Sequence, residues 1–231
     1  YEASLKMRDR IVELTAEILG AEESDIEFDG GYIGSRGKPE HRISFGELTS
    51  LSSGLSGRTD DSPELVVEEW FESTHMSYPY GFHIAVVRID PETGEVFIER
   101  YLVSYDMGRA VNPMLIEGQV LGGVAQGIGG ALLEHFLYDD NGQPLATSFM
   151  DYLLPTVAEM PEVEVLLSED APSPLNPLGL KGAGEGGTPA CGAAIASAID
   201  DALGRPGTVR SLPVSPERLR DMCKRVSVQV Q

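Results

Sequence analysis

Between Leu115 and Phe136 the chain reads Leu-Ile-Glu-Gly-Gln-Val-Leu-Gly-Gly-Val-Ala-Gln-Gly-Ile-Gly-Gly-Ala-Leu-Leu-Glu-His-Phe. The apolar spacing predicts a buried helix, yet six glycines lie between Gly118 and Gly130. Each costs about 1 kcal/mol relative to alanine inside a helix, so something must require them. Two requirements fit: close packing of another element, or close approach of a ligand. Gln119, Gly123, Gln126 and Gly130 recur at i, i+4, i+7 and i+11 and share one face. Two amides on a glycine-paved surface can grip a polar, extended cofactor.

A second glycine cluster, Lys181-Gly-Ala-Gly-Glu-Gly-Gly-Thr188, places four glycines around one carboxylate. A phosphate loop would end in Gly-Lys-Ser/Thr, which is absent here, and no strand-then-GxGxxG order fits a dinucleotide fingerprint. Two readings stay open. Glu185 is a solvated residue of a flexible turn, or the glycines let the backbone pass under a large ligand with Glu185 projecting at it. Thr188-Pro189 then predicts a helix start, with Thr as N-cap, Pro at the first position and Gly204 as the stop. A helix N-terminus there would favour an anion and the ionised form of Glu185, against burial. An ionised carboxylate in a closed pocket is a candidate general base.

Elsewhere the periodicity predicts an α+β fold. Residues 4–20 carry Met7, Ile11, Leu14, Ile18 and Leu19 at helical spacing, stopped by Gly20. Residues 21–40 read as turns or a small hairpin, His41–Phe45 as a short strand, and 49–63 as a Ser/Gly-rich loop. That loop suggests a segment of residues 1–63 and a main region of residues 64–231. Glu64–Thr74 is expected as a strand. Phe82–Asp90 and Glu95–Asp106 flank Pro91–Gly94 and predict a hairpin. Glu162–Leu167 reads as a strand, 171–179 as an extended proline-rich connector, and Pro213–Arg225 as a terminal helix.

Composition narrows the function classes. Of 231 residues, 17 are Lys or Arg and 37 Asp or Glu, a net charge of −20. That disfavours nucleic acid and anionic membranes, where basic residues supply the affinity. Two cysteines, Cys191 and Cys223, exclude a disulfide framework and a four-cysteine zinc or iron–sulfur site. Four histidines without metal-ligand spacing predict no metal ligand from this chain; His83 reads as a packed strand residue and Cys191 as a buried thiol. No apolar run is long enough to span a membrane and no signal peptide is visible, so a cytoplasmic protein is expected. The first residue, Tyr1, fits a processed or excised chain.

The ordered segments Tyr105-Asp-Met-Gly108, Val111-Asn-Pro113, Glu117-Gly-Gln-Val-Leu-Gly-Gly-Val-Ala-Gln-Gly127, Phe149-Met-Asp-Tyr-Leu-Leu-Pro-Thr156, Lys181-Gly-Ala-Gly-Glu185 and Leu212-Pro-Val-Ser-Pro-Glu-Arg218 carry a resemblance. Together they resemble the C-terminal part of the molybdenum-binding large subunit of the xanthine dehydrogenase / aldehyde oxidase family, with wording nearest carbon monoxide dehydrogenase-like large subunits. The resemblance implies a molybdopterin-binding α+β region and a hydroxylase that oxidises a small organic substrate with oxygen from water. It implies molybdenum on a molybdopterin, in the cytosine dinucleotide form, with [2Fe–2S] clusters and FAD in partner subunits. By motif match Glu185 is the general base beside the metal. Gln119, Gly122, Gly123 and Gln126 match the cofactor-contacting helix, and Lys181, Gly182, Ala183 and Gly184 the loop whose backbone approaches the pterin. The protein supplies orientation and proton transfer, while the cofactor carries the redox chemistry.

Two departures matter. Family subunits are several hundred residues longer, so an upstream-half chain is the implied partner, beside iron–sulfur and FAD subunits. After Glu185 the sequence continues Gly-Gly-Thr-Pro-Ala-Cys, where the family often places its proline differently. The competing expectation is a cofactor-binding or assembly module without turnover, or a fragment inactive alone.

Overall fold

The structure, a computed structural model, describes residues 1–52 and 65–228. The chain divides into two compact units, Tyr1–Ser73 and Thr74–Gln231.

In the first unit, α1 (Glu2–Leu19) ends at Gly20, whose φ of 62° only glycine adopts cheaply and whose N–H caps Ala16 and Glu17 carbonyls. Strands β1 (Ile26–Asp29) and β2 (Tyr32–Ser35) form the expected hairpin around Gly30-Gly31, and β3 (Arg42–Ser44) pairs antiparallel with β2. Helix α2 (Phe45–Ser52) opens with a capping box. Ser44 N–H donates to Glu47 Oε2 at 2.9 Å while Glu47 N–H donates to Ser44 Oγ at 3.2 Å. Ile11, Leu14, Ile26, Ile33, Ile43 and Leu48 form the core. The loop expected at 49–63 is corrected at its start, because Thr49–Ser52 complete α2. Residues 53–63 lie outside the described residues.

In the second unit, β4 (Tyr80–Ile89) and β5 (Val96–Asp106) form the predicted hairpin, and β6 (Val163–Ser168) pairs parallel with β5. Helix α3 (Pro113–Ile128) is the crossover between the parallel strands, the long connection such a pair requires. Helices α4 (Cys191–Ala202) and α5 (Pro216–Val228) follow. One sheet face, with Tyr101, Val103 and Tyr105, packs against Val120, Val124 and Ile128 of α3 and Cys191, Ile195 and Ile199 of α4.

Four expectations are corrected. From Leu65 to Thr74 there is no strand; no sheet edge pairs with this stretch, and Trp70 is 93% exposed. The glycine-rich helix does not reach Phe136: after Ile128 it widens into a π-turn, Gly129–Leu133, and ends. Residues 171–179 are folded rather than extended, since the Asn176 amide bonds both the N–H and the carbonyl of Leu180 at 2.8 Å. Thr188 is not a helix cap. The helix begins at Cys191, and the Thr188 hydroxyl donates instead to the Gly123 carbonyl at 3.1 Å. Among the described residues no helix is long and apolar enough to cross a membrane.

Candidate functional site

The Lys181–Thr188 loop starts at the C-terminal end of β5, where Gly108 and Leu180 form a bridge and Lys181 N–H donates to the Met107 carbonyl at 3.0 Å. The Lys181 side chain is consumed locally. Its Nζ lies 2.8 Å from Asp106 Oδ2 with only 8% of the side chain exposed. That ammonium holds the Asp106 carboxyl below the usual carboxylate range. The Lys181 ammonium is therefore spent on Asp106.

Both flanks of Glu185 are tied down. Gly182 N–H donates to the Ser77 carbonyl at 3.1 Å, and its own carbonyl accepts from Tyr105 Oη at 2.8 Å. The Gly186 carbonyl accepts from His83 Nε2 at 2.9 Å. Gly186 lies against the Tyr105 ring with no room for a Cβ, and Gly187 lies against the Val120 carbonyl with none either. Between these anchors Glu185 is exposed. The backbone N–H groups of Ala183, Gly184 and Glu185 have no hydrogen-bond partner among the described residues. Because α4 starts six residues beyond Glu185, its dipole, which acts within the first turn, does not bear on this carboxylate as the sequence led one to expect.

Beneath the loop lie a polar pair and a buried thiol. His83 Nδ1 lies 2.8 Å from Tyr101 Oη, and Cys191 Sγ donates to the Val124 carbonyl at 3.8 Å. Burial pushes the His83 imidazole down and the Tyr101 hydroxyl and Cys191 thiol up. Burial also raises Tyr105, and the nearby Glu185 charge adds to it.

Helix α3 brings the second set of candidates to this loop. Asn112 caps it, its Oδ1 accepting from Leu115 N–H at 3.2 Å with Pro113 at the first position. Three of the six glycines meet the packing requirement. Gly123 and Gly127 leave no room for a Cβ against Gly187 and Cys191, and Gly129 none against Glu134. Gly118, Gly122 and Gly130 meet nothing within 4 Å. Gln119, Gly122 and Gln126 are exposed, and Gly123 sits at the crossing with the Glu185 loop.

Gln126 joins a cluster that sequence reasoning missed. Its Nε2 donates to Glu134 Oε1 at 3.3 Å, and Tyr152 Oη donates to Glu134 Oε2 at 2.6 Å. The π-turn swings Glu134 back over Gly129 to reach them, and π-turns inside helices recur at functional sites. His83, Tyr105, Asp106 and Glu134 were not singled out in the sequence as site residues. The usable signal was Tyr105-Asp-Met-Gly108, where an acid precedes a glycine at a strand end. Among the described residues no group of three or more His, Cys, Asp or Glu side chains is placed to hold a metal.

The molybdopterin cofactor-binding domain family matches residues 1–161. The chain is 42% identical over 224 residues to the 6-hydroxypseudooxynicotine dehydrogenase complex subunit gamma of Paenarthrobacter nicotinovorans, covering 96% of this chain and 28% of that one. It is 34% identical to the nicotine 6-hydroxylase large subunit of the same organism, covering 94% and 27%. Among solved structures, the CO dehydrogenase from Oligotropha carboxidovorans superposes with a TM-score of 0.81 at 29% identity, covering 98% of this chain and 28% of that one. The chain thus spans little more than a quarter of the length of these relatives.

Proposed function

This chain belongs to the molybdopterin cofactor-binding domain family, and from that premise we propose that it forms the Glu185-bearing wall of a molybdenum hydroxylase site, with Glu185 as general base. The observation that carries the reading is the pinned loop: an exposed carboxylate between two anchored glycines, beside three backbone N–H groups without a partner among the described residues.

The residues present fit a molybdopterin. Its phosphate and pterin edges need donors and flat approach, and the free N–H groups of Ala183, Gly184 and Glu185 supply the first. Open space at Gly118, Gly122 and Gly130, beside the exposed amides of Gln119 and Gln126, supplies the second. The cofactor, when bound, supplies the two-electron oxidation of substrate and the redox link to its acceptors. Gln119, Gly122, Gly123 and Gln126 hold and orient it from α3, and the backbone of Lys181 to Gly184 from the loop. Glu185 accepts the proton of the attacking water-derived hydroxyl, a step worth roughly two to four orders of magnitude. The remaining contacts come from an upstream-half chain, with iron–sulfur and FAD subunits carrying electrons away and a small organic molecule as substrate. The cytosine dinucleotide form of the cofactor and a cytoplasmic setting belong to the same proposal.

The test is Glu185→Gln in the intact complex. Turnover falls by roughly 100- to 10,000-fold while molybdenum and pterin content stay at the wild-type level. Retained turnover would overturn the assignment and leave the module a cofactor holder.

A further inference from the structure

We propose that His83 is a positioning residue for Glu185, a role that rests on the reading of Glu185 as proton acceptor. Four glycines surround Glu185, and glycine backbone by itself selects no single direction for the side chain between them. Within the loop Thr188 N–H holds the Glu185 carbonyl at 3.0 Å, and the loop itself is held from outside. Two side chains hold its backbone carbonyls: Tyr105 at Gly182, three residues before Glu185, and His83 at Gly186, the residue directly after it. His83 is therefore the nearer constraint.

The imidazole is itself held in one state. A carbonyl only accepts, so Nε2 carries the proton given to Gly186, and Nδ1 accepts from the Tyr101 hydroxyl. Tyr101, 1% exposed, stands edge-on to the imidazole at 5.7 Å and lies in the same buried core as Cys191, the first residue of α4. The loop's aim is thus read out from the buried face shared by β4, β5 and α4. Gly186 and Gly187, with no space for a Cβ, seat the loop on this scaffold.

A residue that merely fills space and one that aims the loop respond differently to its two isosteres. A glutamine amide nitrogen reaches about as far as Nε2 and keeps the bond to Gly186. An asparagine amide reaches only the Nδ1 position and loses it. The experiment compares His83→Asn, His83→Gln and Glu185→Gln in the intact holoenzyme, by steady-state kinetics, molybdenum content and hydrogen exchange at the Thr188 amide, which donates to the Glu185 carbonyl at 3.0 Å. With His83→Asn, kcat falls about 100-fold, the scale of a small misplacement of a catalytic group, while KM and molybdenum content hold and Thr188 exchange accelerates. His83→Gln recovers kcat and slow exchange. Equal behaviour of the two His83 variants beside an inactive Glu185→Gln overturns the positioning role alone. An active Glu185→Gln overturns the reading of Glu185, and this role with it. If His83→Asn does not assemble, Tyr101→Phe keeps the ring volume and removes the bond that orients Nδ1. Its kcat then falls about tenfold with faster Thr188 exchange, and unchanged values of both overturn the proposal.

Discussion

Single residues around the loop separate packing from function. Alanine at Gly187 would drive its Cβ into the Val120 carbonyl and against Gly123 Cα, both backbone atoms that cannot rotate away. Overpacking of this kind costs about 1–3 kcal/mol, so Gly187→Ala lowers the denaturant midpoint of the chain. Gly184 meets nothing within 4 Å, and Gly184→Ala stays within about 0.5 kcal/mol of wild type. Equal stability of the two variants in urea titrations would contradict the seating of the loop on α3. His83 adds a pH dependence. Burial lowers its folded pKa below the ordinary 6.5, so on acidification the unfolded chain takes up the proton first. This contribution is complete above about pH 6.5 and is lost as pH falls from there through the folded pKa. Asp106, lowered by Lys181, acts in a separate window beneath the ordinary carboxylate value of 3.8. Unfolding free energies measured from pH 7.5 to 5 therefore slope less for His83→Gln than for wild type, and identical slopes would refute the burial effect. At this scale the sequence singled out the Lys181–Thr188 loop by its four glycines around one acid, while both readings of Glu185 stayed open there. The His83–Gly186 bond was not legible, because a lone histidine in a strand reads as packing and Gly186 lies 103 residues away.

Elements were legible where local chemistry decides them. Alternating β-branched and aromatic residues on both sides of Pro91–Gly94 predict the β4–β5 hairpin without reference to the rest of the chain. The same holds for α1 with its glycine stop. Expectations failed where a partner decides. Leu65 to Thr74 is apolar enough for a strand but pairs with none of the sheet edges, β1, β3, β4 and β6. The end of α3 is set by Glu134, whose carboxylate occupies the space above Gly129 and bonds Gln126 and Tyr152. The start of α3 is a local matter, and one substitution measures it. Asn112→Ala removes the acceptor of Leu115 N–H and costs about 1 kcal/mol, read as a lower thermal midpoint. Asn112→Asp keeps the acceptor and retains stability; equal losses in both variants would mean that Pro113 alone starts the helix.

Over the whole molecule two forces oppose each other. A net charge of −20 makes copies of the chain repel. The sheet face turned away from α3 and α4 carries an apolar patch, with Phe82 at 55%, Ile84 at 50% and Leu166 at 54% exposure in neighbouring register positions, beside the Arg100–Glu164 ion pair. An exposed apolar surface of this kind attracts its like once repulsion is screened. Salt decides the balance, since the screening length shrinks from about 30 Å at 0.01 M to about 8 Å at 0.15 M ionic strength. The isolated chain at pH 7 should scatter light as a monomer in the low-salt buffer and associate as salt is raised. Titration toward the isoelectric point near 4.4 should bring the same association without salt. Ile84→Lys, at a half-exposed strand position, leaves folding within about 0.5 kcal/mol yet suppresses association in both conditions. Association that persists in Ile84→Lys would move the adhesive surface away from β4, and a chain that stays monomeric at every salt would show that charge alone governs its behaviour in solution.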